Sequence, residues 1–239
     1  MQFPQRIEAA IIDLDGTLLD TAPDLAEAAN RMLAELGLPL RNCDEIASFI
    51  GRGIPNLVTR CIGVAAAADA AALAKALSIF ERHYAGISGT FTREFPGARQ
   101  GLLALGELGL RLACITNKAE RFALPLLEKF KLRAEFELVV SGDTLAKKKP
   151  DPLPLQFVVE KFGIAPGAAL VIGDSPNDTQ AARAAGCPVA CVPYGYREGL
   201  AVRDLDCDAI VSSLAAAAAV IRNSNSLHHR PNSEIKSST

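Results

Sequence analysis

The sequence carries no strong excess of charge of either sign. Its 239 residues include 25 basic and 27 acidic side chains, which gives a formal net charge of −2, and the two signs are interspersed. Proteins that bind nucleic acid usually have a basic patch or stripe. The composition therefore argues against a nucleic-acid partner.

A long apolar run is also missing from the start of the chain. Only about six apolar-rich positions precede Asp13, which is too short for the core of a signal peptide or for a membrane span. We therefore expect a cytoplasmic protein with no membrane partner.

Paired cysteines and clustered histidines are absent as well. There is no Cys-x-x-Cys pair, and the three histidines are an isolated His83 and the pair His228-His229 in a polar tail. This pattern does not match the ligand spacing of zinc sites or a disulfide framework. We expect reduced thiols that fill the core, at Cys43, Cys61, Cys114, Cys187, Cys191 and Cys207.

The most informative segment that is present is Asp13-Leu14-Asp15-Gly16-Thr17, which follows the apolar run 7–12. A short apolar run that ends in acids predicts a buried strand with two carboxylates at its carboxyl end, where open α/β sheets bind ligands. Alternate residues point to opposite sides of a strand, so Asp13 and Asp15 can have different roles. A carboxylate can attack phosphorus when a divalent cation neutralises the charge. A polar turn would use the same residue types.

A helical insert follows this segment. Thr21-Ala22-Pro23-Asp24 is typical of a helix start, and apolar positions keep a helical period to about residue 90 without a convincing strand. The length of the chain suits one α/β domain and a small second unit. We expect the insert to be that unit.

After Pro96-Gly97 the pattern changes to alternating helices and strands. The predicted helices are 98–108, 118–130, 152–162 and 176–185, and the predicted strands are 110–115, 138–140, 168–172 and 189–192. Such alternation predicts an α/β fold with a doubly wound parallel sheet. The last stretch, 223–239, is rich in Ser and Asn without periodicity, and we expect it to be disordered.

Three later segments place polar residues just after strands or in a loop. Thr116-Asn117 follows one strand, Lys147-Lys148-Lys149-Pro150 forms a basic run, and Gly173-Asp174-Ser175-Pro176-Asn177-Asp178 follows another strand. Helix capping and a solvated loop would account for each segment alone. Taken together, and in an order that is compatible with one sheet, the segments supply the side chains that a phosphoryl site needs. They therefore favour such a site.

These four segments resemble the four motifs of the haloacid dehalogenase superfamily. The matching residues are the run 13–21, Thr116-Asn117, Lys149-Pro150 and Gly173-Asp174-Ser175-x-Asn177-Asp178. Within the superfamily, the chain is most similar to the phosphoglycolate phosphatases. The resemblance implies a Rossmann-like core at 1–19 and 91–222, a small helical cap at 20–90 and a tail at 223–239.

The resemblance also implies roles for individual residues. Asp13 would be the nucleophile and Asp15 the general acid and base. Mg²⁺ would be held by Asp13, the backbone carbonyl of Asp15 and Asp174, with Asp178 orienting its waters. The phosphoryl oxygens would be bound by Thr116, Lys149 and the backbone around Asn117 and Gly16.

Selectivity is expected to come from the cap. Gly51-Arg52-Gly53 precedes a helix, and Arg52 could place its guanidinium over the crevice to bind a substrate carboxylate. An ordinary turn with an exposed arginine explains the same sequence equally well.

The expected activity is hydrolysis of a small phosphomonoester, with 2-phosphoglycolate as the substrate that the resemblance favours. The alternatives are a phosphatase for a sugar or amino-sugar phosphate, a phosphomutase of the β-phosphoglucomutase kind, a dehalogenase, and a regulatory module that has lost turnover. A monomer and a homodimer are both compatible with the sequence.

Overall fold

The computed structural model describes residues 3–228, in which six parallel strands form one sheet. These strands are β1 (Ala9–Ile12), β4 (Arg111–Ile115), β5 (Leu138–Val140), β6 (Ala169–Gly173), β7 (Val189–Cys191) and β8 (Ala209–Ile210). Two further strands, β2 (Leu19–Asp20) and β3 (Arg93–Glu94), form a separate antiparallel ribbon. The order in the large sheet is β5-β4-β1-β6-β7-β8, which puts β1 near the middle.

The α-helices cover the sheet and build the insert. Their bounds are α1 (Ala22–Glu35), α2 (Cys43–Ala47), α3 (Ile54–Ile62), α4 (Val64–Ala67), α5 (Ala70–Ile87), α6 (Ala98–Glu107), α7 (Glu120–Lys129), α8 (Leu153–Phe162), α9 (Pro176–Ala185) and α10 (Leu214–His228). The α/β fold with a parallel sheet is thus confirmed.

The two faces of the sheet are buried in separate apolar clusters. Along β1, Ala10 and Ile12 pack in a cluster with residues of α6, α7 and α10, whereas Ala9 and Ile11 pack with residues of α8 and α9. Side chains alternate between the faces of a strand, so a strand covered on both sides must be apolar throughout. This requirement explains the unbroken apolar run before Asp13.

The insert has a hydrophobic cluster of its own. Residues of α1, α2, α3 and α5 pack together there, with Met32, Ile46 and Tyr84 among the most buried. The β2–β3 ribbon joins the chain where it leaves the sheet domain to the chain where it returns. The division into a core at 1–19 and 91–222 and a cap at 20–90 remains our proposal.

The expectation for the end of the chain needs a correction. Residues 223–228 are not disordered, because α10 continues to His228. The rest of that stretch, 229–239, lies outside the described residues. Strand β8 and helix α10 were not predicted.

The cysteines have free thiols, and four of the six are buried. Cys43 is exposed and Cys207 is partly exposed. Among the helices of residues 3–228, none combines the length and apolar character that crossing a membrane requires.

Candidate active site

The carboxyl ends of the central strands bring the candidate residues together. Strand β1 lies between β4 and β6, and the register places Ile12 beside Cys114 on one side and Ile172 on the other. The N–H of Asp13 donates to the carbonyl of Ile172 at 3.0 Å. The residues that follow these strands therefore meet at one edge of the sheet, where ligand crevices form.

Three carboxylates and one amine form the centre of the site. Oxygen atoms of Asp13, Asp174 and Asp178 lie within 4.8 Å of one another. The Lys149 amine is 2.9 Å from an Asp13 oxygen and 2.7 Å from an Asp178 oxygen. It also donates to the carbonyl of Ile115 at 2.7 Å. The structure thus brings together four of the predicted side chains.

Asp174 is held in place from two sides. The Thr17 hydroxyl donates to one carboxylate oxygen at 3.0 Å, and the backbone N–H of Tyr196 donates to the other. Gly16 and Gly195 leave the space that the carboxylate fills, because a Cβ on either glycine would lie 2.3 Å or 2.2 Å from Asp174 Oδ2.

Asp178 belongs to the first turn of α9 and caps that helix. Its Oδ2 accepts from the N–H groups of Asp174 and Ser175, at 3.3 Å and 3.1 Å, and from the Ser175 hydroxyl at 2.8 Å. The cap leaves Oδ1 to the Lys149 amine. Asp178 therefore caps α9 and also contacts Lys149, and its role in the site stays a prediction.

Burial and like charge raise the pKa values of two of these acids. Burial raises the pKa of Asp13 to about 7, although the Lys149 ammonium lowers it. Burial and then the charges of Asp178 and Asp13 raise the pKa of Asp174 well above its usual range. Burial alone would lower the pKa of Lys149, but Asp13 and Asp178 reverse this effect and raise it.

This donor set fits Mg²⁺. The groups that converge are carboxylate oxygens, the ligands that hard divalent cations prefer. The cluster brings three carboxylates together with the ammonium of Lys149, which contacts Asp13 and Asp178, so the carboxylates outnumber the cation. A divalent cation would supply the missing positive charge.

Asp15 lies apart from this cluster and has its own cation. Its two carboxylate oxygens are 3.0 Å and 3.1 Å from the amine of Lys118, and the Thr21 hydroxyl donates to one of them at 2.6 Å. The alternation of β1 thus continues past its end, with Asp13 beside Lys149 and Asp15 beside Lys118. The predicted Mg²⁺ contact through the Asp15 carbonyl stays a prediction.

A narrow cleft lies between these acids and the insert. Its lining combines the two acids and the loop after β4 with apolar side chains of the insert: Asp13, Asp15, Leu25, Ile50, Gly51, Gly53, Ile54, Leu57, Thr116, Asn117 and Lys118. A small ligand bound to the acids would therefore be covered by α1, α3 and the loop before α3.

Thr116 and Asn117 reach this cleft, and Asn117 also links the two parts of the chain. Its Nδ2 donates to the carbonyls of Gly51 and Lys149, both at 2.8 Å. The N–H of Gly16 donates to the Leu19 carbonyl, so that N–H is occupied within the loop. Gly16 contributes to the site because it has no side chain, which leaves space for the Asp174 carboxylate.

Arg52 is not among the residues that line the cleft. Its guanidinium pairs with the carboxylate of Glu198 at 2.8 Å, and more than half of its side chain is exposed. The structure therefore does not bring Arg52 to the site. The sequence could not indicate this pairing, because Glu198 is far along the chain in an irregular loop.

Sequence reasoning missed several residues of the site, among them Lys118 and Tyr196. Lys118 directly follows Thr116-Asn117, and that position beside a predicted strand end was the available signal. Tyr196 supplies the N–H that holds Asp174, and its hydroxyl donates to Asp20. No motif marks it.

A model of the haloacid dehalogenase-like hydrolases matches residues 10–192 of the chain. This range includes every carboxylate, amine and hydroxyl of the cluster described above.

Curated relatives match over nearly the whole chain. A phosphoglycolate phosphatase of Thiobacillus denitrificans is 53% identical over 221 residues, which are 92% of this chain and 97% of the relative. One of Nitrosospira multiformis is 54% identical over 227 residues, which are 94% of this chain and all of the relative.

Solved structures share the fold. A crystal structure from Haemophilus somnus, described as that of a predicted phosphoglycolate phosphatase, has a TM-score of 0.85 at 29% identity and covers 91% of this chain and 99% of its own. A haloacid dehalogenase-like family hydrolase of Streptococcus pneumoniae has a TM-score of 0.78 at 22% identity, with 90% and 98% covered, and this second likeness concerns the fold alone.

Proposed function

This chain belongs to the haloacid dehalogenase-like hydrolase family, and on that premise we propose that it is a Mg²⁺-dependent phosphatase for 2-phosphoglycolate. The observation that carries the proposal is the meeting of Asp13, Asp174, Asp178 and Lys149 at one strand edge. The substrate is inferred from the two phosphoglycolate phosphatases that are 53% and 54% identical to this chain over nearly its full length.

Asp13 and Asp174 would hold Mg²⁺ with oxygen ligands, the Asp15 carbonyl would add another, and Asp178 would orient the waters of the ion. When bound, Mg²⁺ neutralises charge on the phosphoryl group and on the carboxylates around it. The chain itself contributes the Lys149 ammonium, which stays charged because two carboxylates surround it.

In the first half of the reaction, an Asp13 oxygen attacks phosphorus and the bond from phosphorus to the ester oxygen breaks. The electron pair of that bond goes to the leaving oxygen, and Asp15 gives it a proton. Asp15 is suited to this task because it lines the cleft, stands outside the three-carboxylate cluster and accepts from Thr21 at the start of the insert.

In the second half, water attacks phosphorus of the aspartyl phosphate and Asp15 takes a proton from that water. The bond from phosphorus to the Asp13 oxygen breaks, and inorganic phosphate leaves. Lys149 and the Thr116 hydroxyl bind the oxygens on which negative charge is spread. The insert keeps bulk water out of the cleft while this happens.

The test is phosphate release with purified protein. Wild type should release phosphate from 2-phosphoglycolate in the presence of Mg²⁺, and EDTA should stop it. Asp13→Asn keeps the size of the side chain and removes the nucleophile, so kcat should fall by about 10⁴-fold or more. Asp206→Asn is the matched control, because Asp206 is mostly exposed and its loss should leave the rate unchanged.

The substrate is tested by ranking kcat/KM over a panel of small phosphoesters, because discrimination is a ratio of these quantities. A sugar or amino-sugar phosphate at the top of the ranking would replace 2-phosphoglycolate as the substrate. Interconversion of sugar phosphates without net phosphate release would indicate a mutase. A protein that releases no phosphate from any member would contradict the enzymatic proposal.

We place the protein in the cytoplasm, because its cysteines carry free thiols and free thiols persist in reducing compartments.

A further inference from the structure

Lys118 is a buried cation on the side of the cleft where a leaving group would lie. Its side chain is only 3% exposed, and its amine contacts both carboxylate oxygens of Asp15. Lys149 lies on the other side, in the three-carboxylate cluster. The two buried lysines therefore serve two different parts of the site.

The described residues that line the cleft beside Lys118 include no second cation for an anionic leaving group. The part of the insert that faces it contributes the apolar side chains of Leu25, Ile54 and Leu57. The ring of Tyr84 lies 5.2 Å from the Lys118 amine. Among the residues that line the cleft, Lys118 is the one with a positive charge, whereas Arg52 is held outside by Glu198.

A carboxylate on the substrate would come within reach of this amine. A general acid must approach the ester oxygen to about 3 Å, and the Lys118 amine is 3.0 Å from an Asp15 oxygen. In 2-phosphoglycolate the carboxylate carbon is two bonds from the ester oxygen. An ammonium has three donors, so Lys118 can contact Asp15 and the substrate carboxylate together.

We propose that Lys118 binds the carboxylate of the substrate and makes the protein prefer phosphoesters with an acid group two bonds from the ester oxygen. This inference rests on the proposed function. It assigns the binding of the substrate carboxylate to Lys118 instead of Arg52. A carboxylate buried among apolar side chains without a cation is costly, so removal of Lys118 penalises the charged substrate most.

The experiment compares 2-phosphoglycolate with 2-hydroxyethyl phosphate, which has an uncharged hydroxymethyl group in place of the carboxylate. The measured quantity is the ratio of the two kcat/KM values. In Lys118→Met this ratio should fall by about 30-fold or more, because a charge-assisted hydrogen bond is lost. Arg52→Met and Lys147→Met should leave the ratio as it is in wild type.

A second measurement does not need turnover. Asp15→Asn removes the acid, and the double variant Asp15→Asn/Lys118→Met removes both members of the buried pair, so no charge is left without its partner. Calorimetric titration should show that Asp15→Asn binds 2-phosphoglycolate more tightly than 2-hydroxyethyl phosphate. The double variant should lose this preference.

Equal losses on both substrates in Lys118→Met, with the preference intact in the double variant, would overturn the inference and leave Lys118 as a residue that only positions Asp15. A fall of the ratio in Arg52→Met alone would also overturn it. If wild type does not prefer 2-phosphoglycolate, the substrate proposal itself fails. That failure is separate, because phosphate release that depends on Asp13 would persist.

Discussion

Close packing of single glycines against the acids sets the geometry of the candidate site. A Cβ added to Gly195 would lie 2.2 Å from the Asp174 carboxylate, and one added to Gly173 would lie 2.3 Å from Asp178 Cγ. Real Cβ atoms do not approach other heavy atoms this closely, so an alanine would force a carboxylate to move. The site depends on these glycines as much as on the acids.

We therefore predict that Gly195→Ala impairs the site without unfolding the protein. Gly195 has no left-handed backbone conformation that an alanine would strain, so the effect should arise from the displaced Asp174 alone. Misplacement of a reacting group by about 1 Å costs about 100-fold in rate. Steady-state kinetics with 2-phosphoglycolate should show a fall in kcat/KM of this size.

Gly106→Ala is the matched control. Gly106 lies in α6, and an added Cβ would meet nothing within 4 Å. Alanine favours a helix over glycine by about 1 kcal/mol, so this variant should keep full activity and melt at an equal or higher temperature. Full activity in Gly195→Ala would show that Asp174 tolerates a shift.

The residues of the three-carboxylate cluster were predictable because each follows a recognisable strand. Asp13 and Asp174 follow apolar runs that are typical of strands in a sheet buried on both faces. Asp178 lies four residues after Asp174. The sequence could not assign the roles of two cations near the predicted crevice. Lys118 pairs with Asp15 and Arg52 pairs with Glu198. Both pairs form only when the chain folds, so local sequence does not indicate them.

At the scale of elements, the buried side chain of Asp24 connects the first helix of the insert to the end of the insert. Asp24 lies in the first turn of α1 and is fully buried. Its carboxylate accepts from the backbone N–H groups of Gly89, Phe91 and Thr92, at 2.7 Å, 2.7 Å and 3.2 Å, and from the Thr92 hydroxyl. The start of the insert is thereby joined to its end.

Asp24→Ala should destabilise the protein by about 3 kcal/mol or more, because buried N–H groups lose a charged acceptor. Urea unfolding, followed by circular dichroism, measures this change. Glu27→Ala on the same helix is the control: Glu27 forms an exposed pair with Arg31, and such pairs contribute at most about 1 kcal/mol. Equal effects of the two changes would contradict the role of Asp24.

Most elements were predictable from periodicity, and the exceptions depend on contacts between distant parts of the chain. Strand β8 has two residues, and its pairing with β7 defines it. Helix α10 continues through a Ser- and Asn-rich stretch because the N–H of Phe3 donates to the Ser224 hydroxyl, and the Asn225 side chain bonds the backbone N–H and carbonyl of Ile7. Local composition gives no sign of these partners.

At the scale of the whole molecule, the candidate metal site couples cation binding to stability. Asp13, Asp174 and Asp178 come from two segments that are distant in sequence, and in the unfolded chain they do not form a site. A cation that binds only the folded state stabilises it by about 2.7 kcal/mol at 100 times its Kd. For a chain of this size that corresponds to a rise in Tm of about 5–10 °C.

Asp174→Asn should abolish the rise in Tm with Mg²⁺. Burial and the neighbouring Asp178 and Asp13 disfavour the ionised Asp174, so the neutral amide should also leave the metal-free protein at least as stable as wild type. Differential scanning calorimetry, at an ionic strength held constant with NaCl, measures both effects. Asp206→Asn should keep the full response to Mg²⁺, because Asp206 is an exposed partner of Arg183. An undiminished rise in Asp174→Asn would mean that Mg²⁺ binds elsewhere on the protein, and the assignment of the three carboxylates would be wrong.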